Sequence, residues 1–174
     1  MSEATLPHLI EPGKWADREA QLDAVVPLSR FQRLLEGALA STGDVRVSGR
    51  FVRDARGMPH LTGQLQTVLS LTCQRCLEAV DVPVTADVDV FLLGDEAYAE
   101  RLSEDEDYVV FDHGLDLPEL LEDELILALP LVARHDDCEP QIALSEPEPE
   151  VVVAPVQKEN PFQVLASLKQ PDSE

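Results

Sequence analysis

Cysteine, aromatic residues and long apolar runs are scarce in this sequence, and each scarcity excludes a class of protein. The three cysteines are an odd number, so they do not form the disulfide framework of a small secreted domain. Aromatic residues are only 5% of the chain, which argues against sequence-specific recognition of single strands by stacking. No apolar run approaches the length of about 18 residues that indicates a membrane span, and no basic segment precedes an apolar stretch at the N-terminus. We therefore expect a soluble, unexported protein of the reducing cytoplasm that does not bind membranes.

Basic residues are also few, with 13 Lys and Arg against 34 Asp and Glu and a net charge of -21. Broad binding to a phosphate backbone depends on Lys and Arg, so we expect no DNA binding. The charge is nevertheless segregated along the chain. Residues 30–76 contain seven Arg and three acidic residues, whereas residues 95–124 contain thirteen acidic residues and one Arg. The acidic total conceals a basic middle.

Alternation of apolar and polar residues predicts an antiparallel sheet. Three successive runs, near residues 45–51, 61–71 and 80–90, alternate with a period of two, which is typical of strands with one buried face. A weaker run at 21–26 predicts a short strand, and a further short strand is expected at 108–111. Pro83 lies on the outward register, so the third run is expected to be an edge strand or to contain a bulge.

Two stretches within residues 1–138 have helical periodicity. Ser29 and Gln32 have the form of a capping box and predict a helix of three or four turns that ends near Gly43. Asp116 predicts the start of a second helix, which Pro130 ends. Three adjacent acids in that helix, residues 122–124, are expected to be solvated or to stabilise its start. The first eighteen residues are poorly patterned, Trp15 is expected to cover the edge of the core, and order is doubtful from 94 to 107.

These patterns predict an α+β fold, in which an antiparallel sheet or partly open barrel packs against two or three helices. We expect a single domain over residues 1–138, followed by a disordered acidic and proline-rich linker over 139–159. Residues 160–170 regain helical periodicity, which is typical of a short amphipathic docking segment for a partner protein. Its candidate partner-binding residues are Phe162, Leu165 and Leu168.

The three cysteines and one histidine have the spacing of a metal site. Cys73 and Cys76 form a Cys-x-x-Cys between two alternating runs, which places them at the tip of a β-hairpin. About sixty residues later, His135 and Cys138 form a His-x-x-Cys. Two short ligand pairs of this kind are what a closed tetrahedral zinc site needs. The four residues are therefore a candidate structural zinc site.

Other interpretations of the same residues stay open. The two hairpin cysteines can be buried thiols, and His135 and Cys138 can be ordinary residues that follow a helix. A redox Cys-x-x-Cys is less favoured, because such motifs use a helix N-terminus and here a strand follows. No glycine-rich phosphate loop or Ser-His-Asp arrangement is visible, so we expect no catalytic residues and no enzyme.

Three stretches of the sequence together resemble the YceD family, the large ribosomal RNA subunit accumulation proteins. They are residues 71–78 around the Cys-x-x-Cys, residues 122–132 with His135 and Cys138, and residues 160–169. The order and spacing of these motifs match along nearly the whole chain. We expect a proline near Ala133 in relatives, and the linker before Asn160 is particular to this chain.

This resemblance implies a non-enzymatic factor for the synthesis, processing or stability of 23S ribosomal RNA. It implies a pre-ribosomal large-subunit particle, 23S rRNA or its precursor, and a basic ribosomal protein as partners, since the family's gene commonly neighbours that of such a protein. The charge pattern adds a bridging hypothesis, in which the acidic region 95–124 contacts the basic protein. The candidate RNA-binding residues are Arg46, Arg50, Arg53, Arg56 and Arg75.

Two alternatives to a bridging factor remain at this stage. The first is an acidic chaperone that sequesters a basic large-subunit ribosomal protein without touching RNA. Survival of the association after nuclease treatment would favour it. The second is a nuclease or other enzyme, which would require metal-dependent turnover of precursor RNA.

Overall fold

The computed structural model describes residues 6–140 of the chain. The predicted docking segment at 160–170, and the predicted linker apart from residues 139 and 140, lie outside them. No helix among the described residues has the length and apolar character needed to cross a bilayer. The elements are β1 Leu9–Ile10, α1 Pro12–Asp17, β2 Gln21–Pro27, α2 Gln32–Leu35, β3 Asp44–Arg53, β4 Pro59–Thr72, β5 Ala79–Leu93, β6 Tyr108–Val110, β7 Leu115–Asp116 and α3 Leu117–Leu127.

The main sheet has the strand order β2-β3-β4-β5-β6 and stays open, which confirms the predicted α+β fold class. The first four strands are antiparallel neighbours, and β6 adds in parallel to the last three residues of β5. Strands β4 and β5 pair without a bulge from Thr72 opposite Ala79 to His60 opposite Phe91. Within residues 6–140, nothing pairs with the other side of β5 before Phe91, so Pro83 lies on a sheet edge as predicted.

One face of the sheet is buried beneath the helices because the strands alternate with a period of two. Inward residues such as Val45, Phe51 and Leu65 are at most 1% exposed, and residues between them face solvent. Helix α3 packs against β5, and α2 packs against α3. Strands β3 and β4 approach closely where Gly49 lies opposite Gly63. A Cβ atom on Gly63 would collide with the carbonyl oxygen of Ser48, so this crossing requires glycine.

Helix α1 is an element that the sequence pattern does not predict. It is only six residues long and starts at Pro12, where the missing N–H costs no helical hydrogen bond. Its Trp15 ring packs edge-to-face on Phe51, with centroids 5.0 Å apart. Trp15 therefore covers the edge of the core as expected. A helix of six residues is too short to be stable alone, and the contact of Trp15 with Phe51 packs it on the core.

The predicted helix of three or four turns after Ser29 is wrong. The chain instead forms a 3-10 turn at Leu28–Arg30 and a single α-turn, α2, because Phe31 between them leaves helical geometry to become fully buried. After α2 the chain passes beside β4, where the Leu39 N–H donates to the carbonyl of Ser70 at 2.8 Å. Tertiary contacts of these residues override their helical spacing.

The doubtful order of residues 94–107 is also corrected. Residues Glu96–Arg101 form a 3-10 helix, and the Asp95 side chain caps it by accepting from the Ala97 N–H at 2.9 Å. Glu106 accepts from the Ser103 N–H at 2.8 Å and forms an ion pair with Arg56 at 2.6 Å. The segment is ordered by contacts with a residue fifty positions earlier in the chain.

Helix α3 begins as predicted, since the Asp116 side chain accepts from the Glu119 N–H at 3.1 Å. The expectation for Glu122, however, is wrong. Its carboxylate is buried and accepts from the N–H groups of Arg33 and Leu34 at 2.7 and 3.1 Å, and from the Arg33 guanidinium at 3.2 Å. Glu122 thereby attaches α2 to α3, whereas its neighbour Asp123 makes only an exposed ion pair with Arg33.

We predict that Glu122→Ala lowers the free energy of unfolding by about 2 to 3 kcal/mol, because two backbone N–H groups lose a charged acceptor. Asp123→Ala is the matched control, since it truncates the adjacent acid bound to the same arginine. Its loss is expected to stay below about 1 kcal/mol, as is usual for exposed pairs. Urea denaturation of the two variants measures both values. Equal losses would contradict a special role for the buried carboxylate.

Candidate functional site

The first half of the candidate metal site is the turn that joins β4 to β5. The Cys73 N–H donates to the Glu78 carbonyl at 2.8 Å, and the Leu77 N–H donates to the Cys73 carbonyl at 2.9 Å. Leu77 has a φ of 62°, a left-handed conformation that is uncommon for a residue other than glycine. The tight turn holds the Cys73 and Cys76 side chains in the buried interior.

The second half arrives with the chain that follows α3. Beyond Pro130 this chain crosses to the hairpin tip, where the Ala133 carbonyl accepts a hydrogen bond from the Gln74 N–H at 2.8 Å. Ala133 is buried, and the next residues carry His135 and Cys138 to the two hairpin cysteines. A backbone contact between distant segments therefore assembles the four predicted residues.

The ligand atoms of these four residues, which we call the Cys/His cluster, lie within 4.8 Å of one another. The Sγ atoms of Cys73 and Cys138 are 3.8 Å apart, and Cys76 Sγ is 3.4 Å from Nδ1 of His135. Tetrahedral zinc, with bonds of about 2.3 Å to sulfur and about 2.0 to 2.1 Å to nitrogen, requires separations of about 3.8 and about 3.6 Å. The Cys/His cluster could hold a metal ion of this size and geometry.

Hydrogen-bond donors surround the sulfur atoms unequally. The Cys76 N–H, followed by those of Arg75 and His135, lowers the pKa of the Cys73 thiol to about 5 against the opposing effect of burial. For Cys76, the Glu78 N–H acts to lower the pKa, but burial and the neighbouring thiols Cys73 and Cys138 outweigh it and raise the pKa. All three cysteines are free thiols.

Arg75 belongs to this cluster, although its sequence context makes it a candidate RNA contact. Its Nε donates to Cys138 Sγ at 2.8 Å and its Nη2 donates to the His135 carbonyl at 3.2 Å. A cation beside several sulfur ligands offsets the negative charge of a thiolate-rich site and orients its ligands. The position of Arg75 between Cys73 and Cys76 in the sequence indicates that it lies near the site. Its hydrogen bond to Cys138 could not be predicted from the sequence.

Three of the other candidate arginines make ion pairs inside the molecule. Arg50 bonds to Glu19, Arg53 bonds to Asp17 of α1 at 2.6 Å, and Arg56 bonds to Glu106 at 2.6 Å. Arg46 is exposed on β3 and has no ion pair among residues 6–140. RNA binding by these arginines stays a prediction, and Arg46 is the one whose charge is least neutralised.

The exposed face of strands β2 to β5, which we call the outer sheet face, is acidic rather than basic. Its outward charged residues are Asp23, Asp44, Arg46, Arg50, Asp81, Asp87 and Asp89. Five carboxylates against two guanidinium groups make this face acidic, although β3 and β4 belong to the Arg-rich segment 30–76. Candidate partner-binding residues Phe162, Leu165 and Leu168 lie outside the described residues.

Comparison with known proteins agrees with these motifs. A family model described as "Large ribosomal RNA subunit accumulation protein YceD" matches residues 61–169. A curated protein of that name from Haemophilus influenzae is 32% identical over 177 residues, covering 98% of this chain and 99% of the relative. No solved structure matches the chain. Because the family model spans both halves of the Cys/His cluster and the relative aligns along nearly its full length, the chain belongs to the YceD family.

Proposed function

We propose that this protein is a non-enzymatic cytoplasmic factor that supports the accumulation of 23S ribosomal RNA in large-subunit assembly. The name of its Haemophilus relative carries the large-subunit RNA part of this proposal. The proposed mechanism is a bridge, in which the protein contacts precursor RNA and a basic ribosomal protein together within a pre-ribosomal particle.

The observation that supports the protein arm of the bridge is the acidic outer sheet face. Asp81, Asp87 and Asp89 are exposed along one strand edge, and three neighbouring arginines are already paired within the molecule. A surface of this kind attracts a basic partner and repels bulk RNA. It equally favours the second candidate, an acidic chaperone for a basic ribosomal protein that does not contact RNA.

Affinity-tagged protein recovered from lysate, with and without ribonuclease, separates the bridge from the chaperone. The bridge predicts association with large-subunit precursors that ribonuclease weakens and that the double variant Arg46→Glu, Arg50→Glu reduces several-fold. Arg30→Glu is the control, since it makes one Arg-to-Glu change, half of the charge change of the double variant, at an exposed residue outside the sheet.

An unchanged association of the double variant would show that the outer sheet face is not the RNA contact. Association with a basic ribosomal protein that fully survives ribonuclease would favour the chaperone. Turnover of precursor RNA by the purified protein would contradict the non-enzymatic role.

We also propose that the Cys/His cluster holds a structural zinc ion. The support is the agreement of two of its interatomic distances, 3.8 and 3.4 Å, with those of tetrahedral zinc, together with the closed setting of two buried and two half-buried ligands. Such an ion would fasten the β4–β5 tip to the chain after α3, and metal binding would then contribute to the stability of the fold.

Elemental analysis should therefore find about one zinc per chain, and Cys138→Ser should lose most of it. His135→Cys is the matched control, because a site of four cysteines is also a normal zinc site and should retain the metal. Chelation should lower the melting temperature of the wild type and leave that of Cys138→Ser nearly unchanged. Wild-type protein without zinc, or a chelator-insensitive melting temperature, would exclude the site.

A further inference from the structure

A groove that none of the sequence motifs indicates runs beside α1 and the 3-10 helix Glu96–Arg101. Three hollows of about 350, 420 and 340 Å³ adjoin one another along it. The first two share Arg53 and Phe111 in their walls, and the last two share Lys14 and His113. We call the three adjoining hollows together the aromatic groove, because Tyr98, Phe111 and Trp15 line them in that order.

The aromatic groove collects basic residues on a strongly acidic protein. Five of the 13 Lys and Arg residues line it, against three acidic lining residues, while the whole chain has a net charge of -21. Most of these charges are paired, Lys14 with Glu11 and Arg53 with Asp17. The lining of the groove is thus less acidic than the protein as a whole, which reduces the repulsion that a polyanion meets there.

The two lining cations without an ion pair among residues 6–140 occupy opposite ends of the groove. Arg101 lies over the Tyr98 ring, with its guanidinium carbon 5.0 Å from the centroid, and Arg18 lies over the Trp15 ring at 4.8 Å. Each end therefore combines an exposed cation with an aromatic ring, one face of which the guanidinium covers. Phe111 is half-buried between them and belongs to the wall that the first two hollows share.

Aromatic rings and cations that line one groove are the chemistry that binds a single strand of nucleic acid. Bases stack on aromatic rings whatever their identity, and the cations contact the phosphates between them. A duplex offers no free base faces to such a surface. A small number of aromatic residues argues against stacking of single-stranded bases only if those residues are dispersed. In this protein the one Trp and one of the two Tyr line the same groove.

We propose that the aromatic groove binds single-stranded RNA, with bases stacked on Tyr98, Phe111 and Trp15 and with phosphates at Arg101 and Arg18. This inference rests on the proposed direct contact with precursor RNA and adds the groove to Arg46 and Arg50 as a second RNA contact. Because most of the lining charges are paired, stacking contributes most of the affinity, and sequence preference is weak.

The direct test is fluorescence anisotropy of a labelled oligouridine of about ten nucleotides titrated with the full-length protein. Tyr98→Ala and Arg101→Gln should each weaken binding by about tenfold or more. Tyr108→Ala is the matched control, because Tyr108 is 42% exposed, close to the 45% of Tyr98, and lies outside the groove. Arg30→Gln controls for loss of one exposed cation. Both controls should bind within about twofold of the wild type.

Salt dependence separates the two kinds of contact. The slope of log K against log salt should fall by about 0.7 in Arg101→Gln, the value for one phosphate contact to a single strand, and should be unchanged in Tyr98→Ala. Tyr98 is exposed, so circular dichroism should show both groove variants folded as the wild type is. A matched RNA duplex should bind at least about tenfold more weakly than the single strand.

Groove variants that bind as tightly as the wild type, or a duplex that binds as well as the single strand, would overturn the inference. If the groove variants bind RNA as tightly as the wild type, but association of the wild type with large-subunit particles is sensitive to ribonuclease, the bridging function stands and only the groove is wrong. If the wild-type protein binds no RNA and its partner association survives ribonuclease, the groove and the bridge both fail.

Discussion

The contact between the β4–β5 hairpin tip and the chain after α3 is the constraint on which the rest of this structure depends. Strands of 14 and 15 residues end in a six-residue turn, and hydrogen bonds from the Gln74 N–H to Ala133 and from the Arg75 side chain to His135 and Cys138 hold the distant segment against it. Four ligand atoms then meet within 4.8 Å, with Arg75 against one of the sulfurs. Since α3 packs on β5, the same contact connects the end of the helix layer to the end of the sheet.

Ion pairs within the molecule determine which arginine charges remain available at the protein surface. Arg33, Arg50, Arg53 and Arg56 are held by carboxylates from other elements, and these pairs connect α2 to α3 and the turn after β3 to the acidic segment 94–107. The cations that the linear sequence gathers in its middle are therefore not available together on one surface. The outer sheet face is left acidic and suits a basic partner, while the lining of the aromatic groove is less acidic than the protein as a whole and suits RNA.

Short-range sequence patterns predicted the elements whose burial repeats regularly along the chain. The strands β3, β4 and β5 alternate along their length, the cap at Asp116 starts α3, and two short ligand pairs indicated a common site. Tertiary contacts decided the remainder. Phe31 interrupts a helical pattern because burial outweighs propensity, Trp15 packs a six-residue helix on Phe51, and Glu106 orders an acidic stretch through Arg56. Ion pairs between residues far apart in the chain, such as Arg53 with Asp17, have no signature in local sequence.

Zinc-edge X-ray absorption of the zinc-loaded full-length protein measures whether the hairpin tip and the chain after α3 share one ion. Three sulfur ligands at about 2.3 Å and one nitrogen ligand at about 2.0 to 2.1 Å are expected. Because the chain has only three cysteines, a three-sulfur shell requires Cys138 to join both hairpin cysteines at one ion. A shell with two sulfurs or fewer would contradict the joining of the hairpin tip to the chain after α3.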